Sequence, residues 1–199
     1  MDKIFSNSNY VDPDQANRIV DFDACRLYNC NIIITFDGGM LTFSVLMVCT
    51  GNICRSPMAE GLLLHLLPES IKPRVSVRSA GTYGLHGNRA EPFAIQAAAD
   101  YGADISGHRA SILDATMVRS ADLVLAMENY HIDKINDLLF FRCKTARLLG
   151  SFDHERENPE IEDPYGAPLG AYEACASEIV ACMPALIDHI RHQVDMRAF

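Results

Sequence analysis

The chain has 199 residues, 49% of them hydrophobic, with a formal net charge of −9. That size suits one domain with an appendage, and the apolar content suits a packed core and argues against disorder. The acidic balance excludes the broad basic surface that nucleic acid or an anionic membrane attracts, so a phosphate would have to be caught by a local positive site.

The N-terminal residues MDKIFSNSNYVDPDQ carry neither the basic region nor the apolar stretch of a secretory signal. No uninterrupted apolar run approaches the ~18 residues that suggest a span. The expectation is a cytoplasmic protein without membrane insertion. In that compartment its seven cysteines, an odd number, read as reduced, catalytic or metal-binding. Residues 1–30 are polar and mixed, with a weak helix expected over 14–26. NIIITFDGG, at 31–39, reads as a short β stretch closed by a Gly-Gly turn.

From residue 41 the pattern becomes regular. LTFSVLMVC, at 41–49, is a near-continuous apolar run, as in a strand buried on both faces. Ser56-Pro57 predicts a helix start, Ser as N-cap and Pro at the first helical position, with MAEGLLLHLL as its body, stopped before Pro68. RVSVRSAG (74–81) predicts a second strand, 91–102 an alanine-rich helix, and DLVLAM (122–127) a third strand. A helix over 129–140, a short strand over 145–150 and a helix over 171–192, strained at Pro184, complete the order. Strand–helix alternation of this kind implies an α/β doubly wound domain: four parallel strands, right-handed crossovers, and a ligand crevice beyond the strands' C-terminal ends.

Cys49 stands at the end of the first of these strands, inside VCTGNICRSPMAE (48–60). Gly51 and Asn52 tolerate the left-handed conformations that turn successive amides inward into an anion nest. The helix opening at Ser56-Pro57 adds free N–H groups and a partial positive charge, and Arg55 adds a planar fork that holds two phosphoryl oxygens. Such a cradle also stabilises a thiolate, so Cys49 is expected to ionise below the ~8.5 of free cysteine and to act as a nucleophile. The C-x5-R spacing alone is weak; the strand before it, the helix after it and the Gly-Asn between sharpen it. Attack on phosphorus also needs a group that gives and takes a proton. Asp163, in EIEDPYGAPLG (160–170), follows the fourth strand, and Pro164 holds it extended. An ordinary Asp-Pro turn is the bland alternative, as at Asp12-Pro13; position relative to the sheet promotes Asp163.

VCTGNICRSPMAE, SAGT (79–82), GHRA (107–110), ADLVLAM (121–127) and DPYG (163–166), in that order, resemble the bacterial low-molecular-weight protein tyrosine phosphatases. The likeness covers about 43–199, leaving 1–42 as an N-terminal extension of unassigned role, with Met40 where relatives usually begin. The resemblance implies a phosphotyrosine phosphatase I-like fold, a Rossmann-like three-layer arrangement of a four-stranded parallel sheet with helices on both faces. It implies a monomer without cofactor or metal, and phosphocysteine chemistry. In it Cys49 is the nucleophile, Arg55 the phosphate clamp and Asp163 the general acid, then base. Thr50, Gly51, Asn52, Ile53, Cys54 and Ser56 form the phosphate loop. Ser79 and His108 join Asn52 and Ser56 in a network that braces it, and Leu85 and Tyr165 line the pocket mouth. Cys54 is the candidate redox partner of Cys49, against a bland reading as a packing residue. The substrate implied is a phosphotyrosine protein, at family level a tyrosine autokinase of capsule or exopolysaccharide assembly. Two departures, Glu128 in AMEN and Ser111 in HRAS, are expected to leave the chemistry untouched.

Alternatives stay in view. Arginine phosphatases of this fold carry a small polar residue where Ile53 stands, and a bulky apolar group there favours a phenyl ring. A thiol arsenate reductase would need a cysteine pair near residues 80–95, which contain none. A zinc module could pair Cys25 and Cys30 with Cys49 and Cys54, two C-x4-C pairs, but Arg55 would lie against the thiolates. A phosphate-binding adaptor would have no use for both Cys49 and Asp163.

Overall fold

The computed structural model describes residues 42–197. The helix expected over 14–26, the β stretch over 31–39, and Cys25 and Cys30 lie outside the described residues. In chain order the elements are β1 (Phe43–Cys49), α1 (Arg55–Leu66), β2 (Val75–Gly81), α2 (Pro92–Ala99), α3 (Ala115–Ser120), β3 (Leu123–Ala126), α4 (Asn129–Leu139), β4 (Ala146–Leu148) and α5 (Leu169–Met196). Short 3-10 turns occupy Lys72–Arg74 and Leu149–Phe152. All four strands run parallel in the order β2-β1-β3-β4.

The apolar run of β1 is explained by two covered faces. Phe43, Val45, Met47 and Cys49 point into a core shared with α1, α2 and α5. Leu46 and Val48 point the other way, against Val118 of α3 and Ile135 and Leu139 of α4. Helices on both faces give three layers, with each buried Leu, Val or Ile contributing about 1.5–3 kcal/mol. The chain runs from β1 out to the edge strand β2, then returns across β1 to β3. The loops after β1 and β3 therefore leave toward opposite faces, and the gap between them is the crevice.

Several expectations shift at the helix starts. Ser56 is not an N-cap: α1 begins at Arg55 with Cys54 in the capping position and no side-chain cap. The Ser56 hydroxyl is drawn to Cys49 instead, and Pro57 still falls in the first turn, where its missing N–H costs nothing. The six-residue α3 goes unread in the sequence; Asp114 starts it, its carboxylate accepting from the Met117 N–H at 2.8 Å. Pro184 lies inside the 28-residue α5 without ending it. By length and composition α5 could cross a membrane; here Cys175, Ile179, Met183, Leu186 and Ile190 form a stripe buried in the core.

Candidate active site

The loop between β1 and α1 is shaped by where its carbonyls go. Cys49 O accepts from Thr82 N–H, Thr50 O from Tyr83 N–H, and Ile53 O from Glu91 N–H, at 2.8–2.9 Å. Asn52 O accepts from His108 Nε2 at 2.8 Å, so that ring nitrogen carries the hydrogen. Each planar peptide sets its N–H opposite its carbonyl. With these four oxygens tied outward, the amides of Thr50, Gly51, Ile53 and Cys54 turn inward. Asn52 alone in the loop takes a positive φ, 54°, which its short polar side chain tolerates; Gly51 does not need the freedom expected of it. Its N–H donates to Cys49 Sγ at 3.2 Å.

The Asn52 side chain is fully buried and ties together the groups around the thiol. Its Oδ1 accepts from Ser111 N–H at 2.7 Å, so Nδ2 must face the serines, donating to Ser56 Oγ at 2.9 Å and Ser79 Oγ at 2.8 Å. Ser56 Oγ lies 2.9 Å from Cys49 Sγ, where its hydrogen is available to a thiolate. Ser79 in turn donates to Glu60 Oε2 at 2.5 Å. Burial pushes the Glu60 carboxyl up, against the lowering influence of Ser79 and His108. Only the backbone of Ser111 takes part, so its side chain is free to depart from the family pattern.

Arg55 is 1% exposed. Its Nη1 donates to Glu128 Oε2 at 2.6 Å and to Ile161 O at 2.9 Å; its Nη2 donates to Asp163 Oδ2 at 2.6 Å and to Thr50 Oγ1 at 3.3 Å. Burial works against the guanidinium charge, yet the two carboxylates outweigh it and hold its pKa above the ordinary value. Glu128 is therefore no bystander. The expectation that its replacement of aspartate leaves the chemistry untouched is corrected: the longer acid at the end of β3 fixes the plane of Arg55 through Nη1 and leaves the Nη2 edge toward the residues of the cavity.

Sequence reasoning also passed over His131, which is fully buried. Glu128 and His131 form a reciprocal cap at the start of α4, and the available signal was that spacing, an acid followed three residues later by a polar group before an amphipathic helix. Burial, then the charge of Arg55, pushes the His131 pKa down to about 4, so the ring is neutral at ordinary pH.

A cavity of about 300 Å³ opens above the loop, lined by Cys49, Thr50, Gly51, Ile53, Cys54, Tyr83, Leu85, Asp163 and Tyr165. Arg55 and Ser56 lie buried behind it, and Ser79 and His108 brace the loop from outside. Tyr83, 67% exposed, joins Tyr165 as a second aromatic side chain at the mouth; nothing in its sequence context marked it. The Asp163 segment is pinned to the sheet by Ile161 N–H donating to Met127 O at 2.8 Å. Asp163 Oδ1 accepts from Tyr165 N–H at 3.3 Å, a tight Asx-type turn. Cys54 is buried within the loop, its thiol pushed up to about 12 first by burial and then by Asp163 and Cys49, against a hydrogen bond with Tyr172. Among the described residues no group of three or more His, Cys, Asp or Glu is placed to hold a metal ion.

Thiol, inward amides and a buried guanidinium facing a carboxylate are what phosphoryl transfer through sulfur requires, and together with the three-layer parallel sheet they define the class of thiol-based phosphatases. The chain belongs to the low molecular weight phosphotyrosine protein phosphatase family, whose model matches residues 44–196. It is 39% identical over 148 residues to a protein of Ralstonia nicotianae named "Probable low molecular weight protein-tyrosine-phosphatase EpsP", covering 74% of this chain and 96% of that one. It is 43% identical over 131 residues to the low molecular weight protein-tyrosine-phosphatase Etp of Escherichia coli, covering 65% and 82%. Among solved structures, the YwlE arginine phosphatase of Geobacillus stearothermophilus superposes with a TM-score of 0.67 at 31% identity, covering 76% and 94%.

Proposed function

We propose that the chain hydrolyses phosphotyrosine in proteins through a phosphocysteine. The observation that carries this reading is that Cys49 and Asp163 line one cavity, while Arg55 Nη2 lies 2.6 Å from the Asp163 carboxylate. In the first step the Cys49 thiolate attacks phosphorus, the P–O bond to the ring breaks, and Asp163 gives its proton to the departing phenolate. In the second, water attacks the phosphocysteine, Asp163 takes the water's proton, and the S–P bond breaks to release inorganic phosphate and thiolate. The inward amides of Thr50, Gly51, Ile53 and Cys54, with Arg55, stabilise the charge spread over the transferring oxygens. Ser56 and the Asn52 N–H hold the thiolate between turnovers. Ile53, Leu85, Tyr83 and Tyr165 offer apolar and aromatic surface to a phenyl ring rather than to a guanidinium.

Cys54 is assigned in the same proposal as the thiol that closes a protective disulfide on oxidised Cys49. The substrate is taken to be a phosphotyrosine protein of the cytoplasm, and within that class a bacterial tyrosine kinase of polysaccharide assembly. Support for the substrate class comes from the family match.

Cys49→Ser is expected to abolish hydrolysis of an aryl phosphate. Asp163→Asn is expected to slow it by roughly 10²–10⁴-fold for a poor leaving group and much less for an activated one. Turnover that survives Cys49→Ser, or a preference for phosphoarginine over phosphotyrosine peptides, would overturn the reading.

A further inference from the structure

The β1–α1 loop carries one side-chain donor that phosphatase chemistry by backbone amides does not require. Thr50 Oγ1 lies 3.0 Å from His131 Nε2 and 3.3 Å from Arg55 Nη2. Which way the first of these bonds runs follows from the far side of the imidazole. The Glu128 backbone N–H, which can only donate, meets His131 Nδ1 at 3.1 Å. Nδ1 is therefore the bare nitrogen, and in the neutral ring the hydrogen sits on Nε2. Nε2 then donates to Thr50. Arg55 has no acceptor, so it donates to Thr50 as well. Both lone pairs of the threonine oxygen are used, and its own hydrogen has no protein acceptor among the described residues. Thr50 is a half-buried lining residue of the cavity, and the cavity is the side left open.

We infer that the Thr50 hydroxyl is a phosphoryl ligand, its hydrogen aimed into the cradle because His131 and Arg55 occupy its lone pairs, and that His131 is the positioning residue which holds it so. This rests on the phosphatase reading and deepens it. The ring of amides supplies donors from the backbone, whereas Thr50 adds a side-chain donor beside Arg55 Nη2. A valine or leucine at position 50 would fill the space without that bond. The Arg55 guanidinium, the Glu128 carboxylate, 3.9 Å from Nε2, and the Asp163 carboxylate are the charged groups that act on the imidazole. Protonation of the ring would leave Nε2 donating but would put a second cation beside Arg55, and Nδ1 would lose its bond from Glu128 N–H.

The test uses the full chain and two readouts: the dissociation constant of inorganic phosphate by calorimetry, and kcat/KM for an aryl phosphate. Thr50→Val keeps the branched shape and removes the hydroxyl; it is expected to weaken phosphate binding and to lower kcat/KM by roughly 10–100-fold, the range for a lost hydrogen bond to a charged group. Thr50→Ser restores the hydroxyl and is expected to recover most of that loss. His131→Phe removes the ring donor; its effect on kcat/KM is expected to vanish in the Thr50→Val background, because it acts through Thr50. Wild-type phosphate binding in Thr50→Val, equal damage from Val and Ser, or full additivity of the two sites would each overturn the inference. A wild-type protein that binds phosphate but turns over no aryl phosphate would instead sink the phosphatase reading, with the binding series still deciding the role of Thr50.

Discussion

Cys54 sets a condition on redox protection that can be read from its surroundings. Peroxide would convert the Cys49 thiolate to a sulfenic acid, and the Cys54 thiolate would then attack that sulfur, expel hydroxide and close the disulfide. Only the ionised thiol attacks. With the Cys54 pKa pushed up to about 12 by burial and by neighbouring negative charge, its reactive fraction grows about tenfold per pH unit throughout the neutral range. After a brief peroxide pulse, the dithiothreitol-recoverable fraction of activity should therefore rise steeply between pH 6.5 and 8.5, and Cys54→Ser should abolish the rise. Recovery indifferent to pH would show that another thiol resolves the sulfenic acid. At this scale the site divides by distance along the chain. Cys49, Arg55 and the loop between them are contiguous, so spacing and residue type expose them. Glu128 and His131 reach Arg55 and Thr50 only because β3 lies beside β1, and nothing local to AMENYH announces that adjacency. The sequence therefore shows the charge to be neutralised but not the group that neutralises it.

The loop keeps its shape because β2 passes directly beneath it. A Cβ built on Gly81 would meet Thr50 O at 2.6 Å, Gly51 C at 2.9 Å and Asn52 N at 3.0 Å, all of them backbone. No flexible side chain can give way, so Gly81→Ala must displace the amides that surround the thiol. It is expected to lower kcat/KM by about 100-fold, since misplacement on the order of 1 Å costs that much, alongside a stability loss of about 1–3 kcal/mol from overpacking. Gly84→Ala is the control, because its Cβ would meet Ile112 only at an ordinary 3.6 Å, and activity there should hold. An active Gly81→Ala would show that the loop tolerates being moved. The elements themselves are legible wherever the apolar pattern is strong: β1, β2, β3 and α4 fall within one or two residues of where the runs and turn residues put them. The failures are local contests for one side chain. Ser56 has a good cap's chemistry but a better partner in Cys49, and Asp114 caps a helix of one and a half turns, too short for its periodicity to show.

His131 couples the site to the stability of the whole domain. Its imidazole is buried between the start of α4 and the β1–α1 loop, and its pKa is pushed from 6.5 down to about 4, by burial first and the Arg55 charge second. A base depressed in this way binds its proton less readily folded than unfolded. Its contribution to stability is therefore complete above pH 6.5 and is lost progressively as the pH falls toward 4, where the folded state at last accepts the proton. Between pH 7.5 and 4.5 that loss amounts to roughly 2–3 kcal/mol, at about 1.4 kcal/mol per pH unit. His189, also depressed by burial and by Arg147, works in the same direction, so the comparison has to be made against His131→Gln, which removes one titration and keeps the other. Urea midpoints measured at both pH values should fall further for the wild type than for His131→Gln, while parallel losses would mean that the ring is free to protonate in the folded state. Because the folded ring stays neutral down to about pH 4 and Nε2 carries its hydrogen in either form, the bond to Thr50 should persist through this window of falling stability.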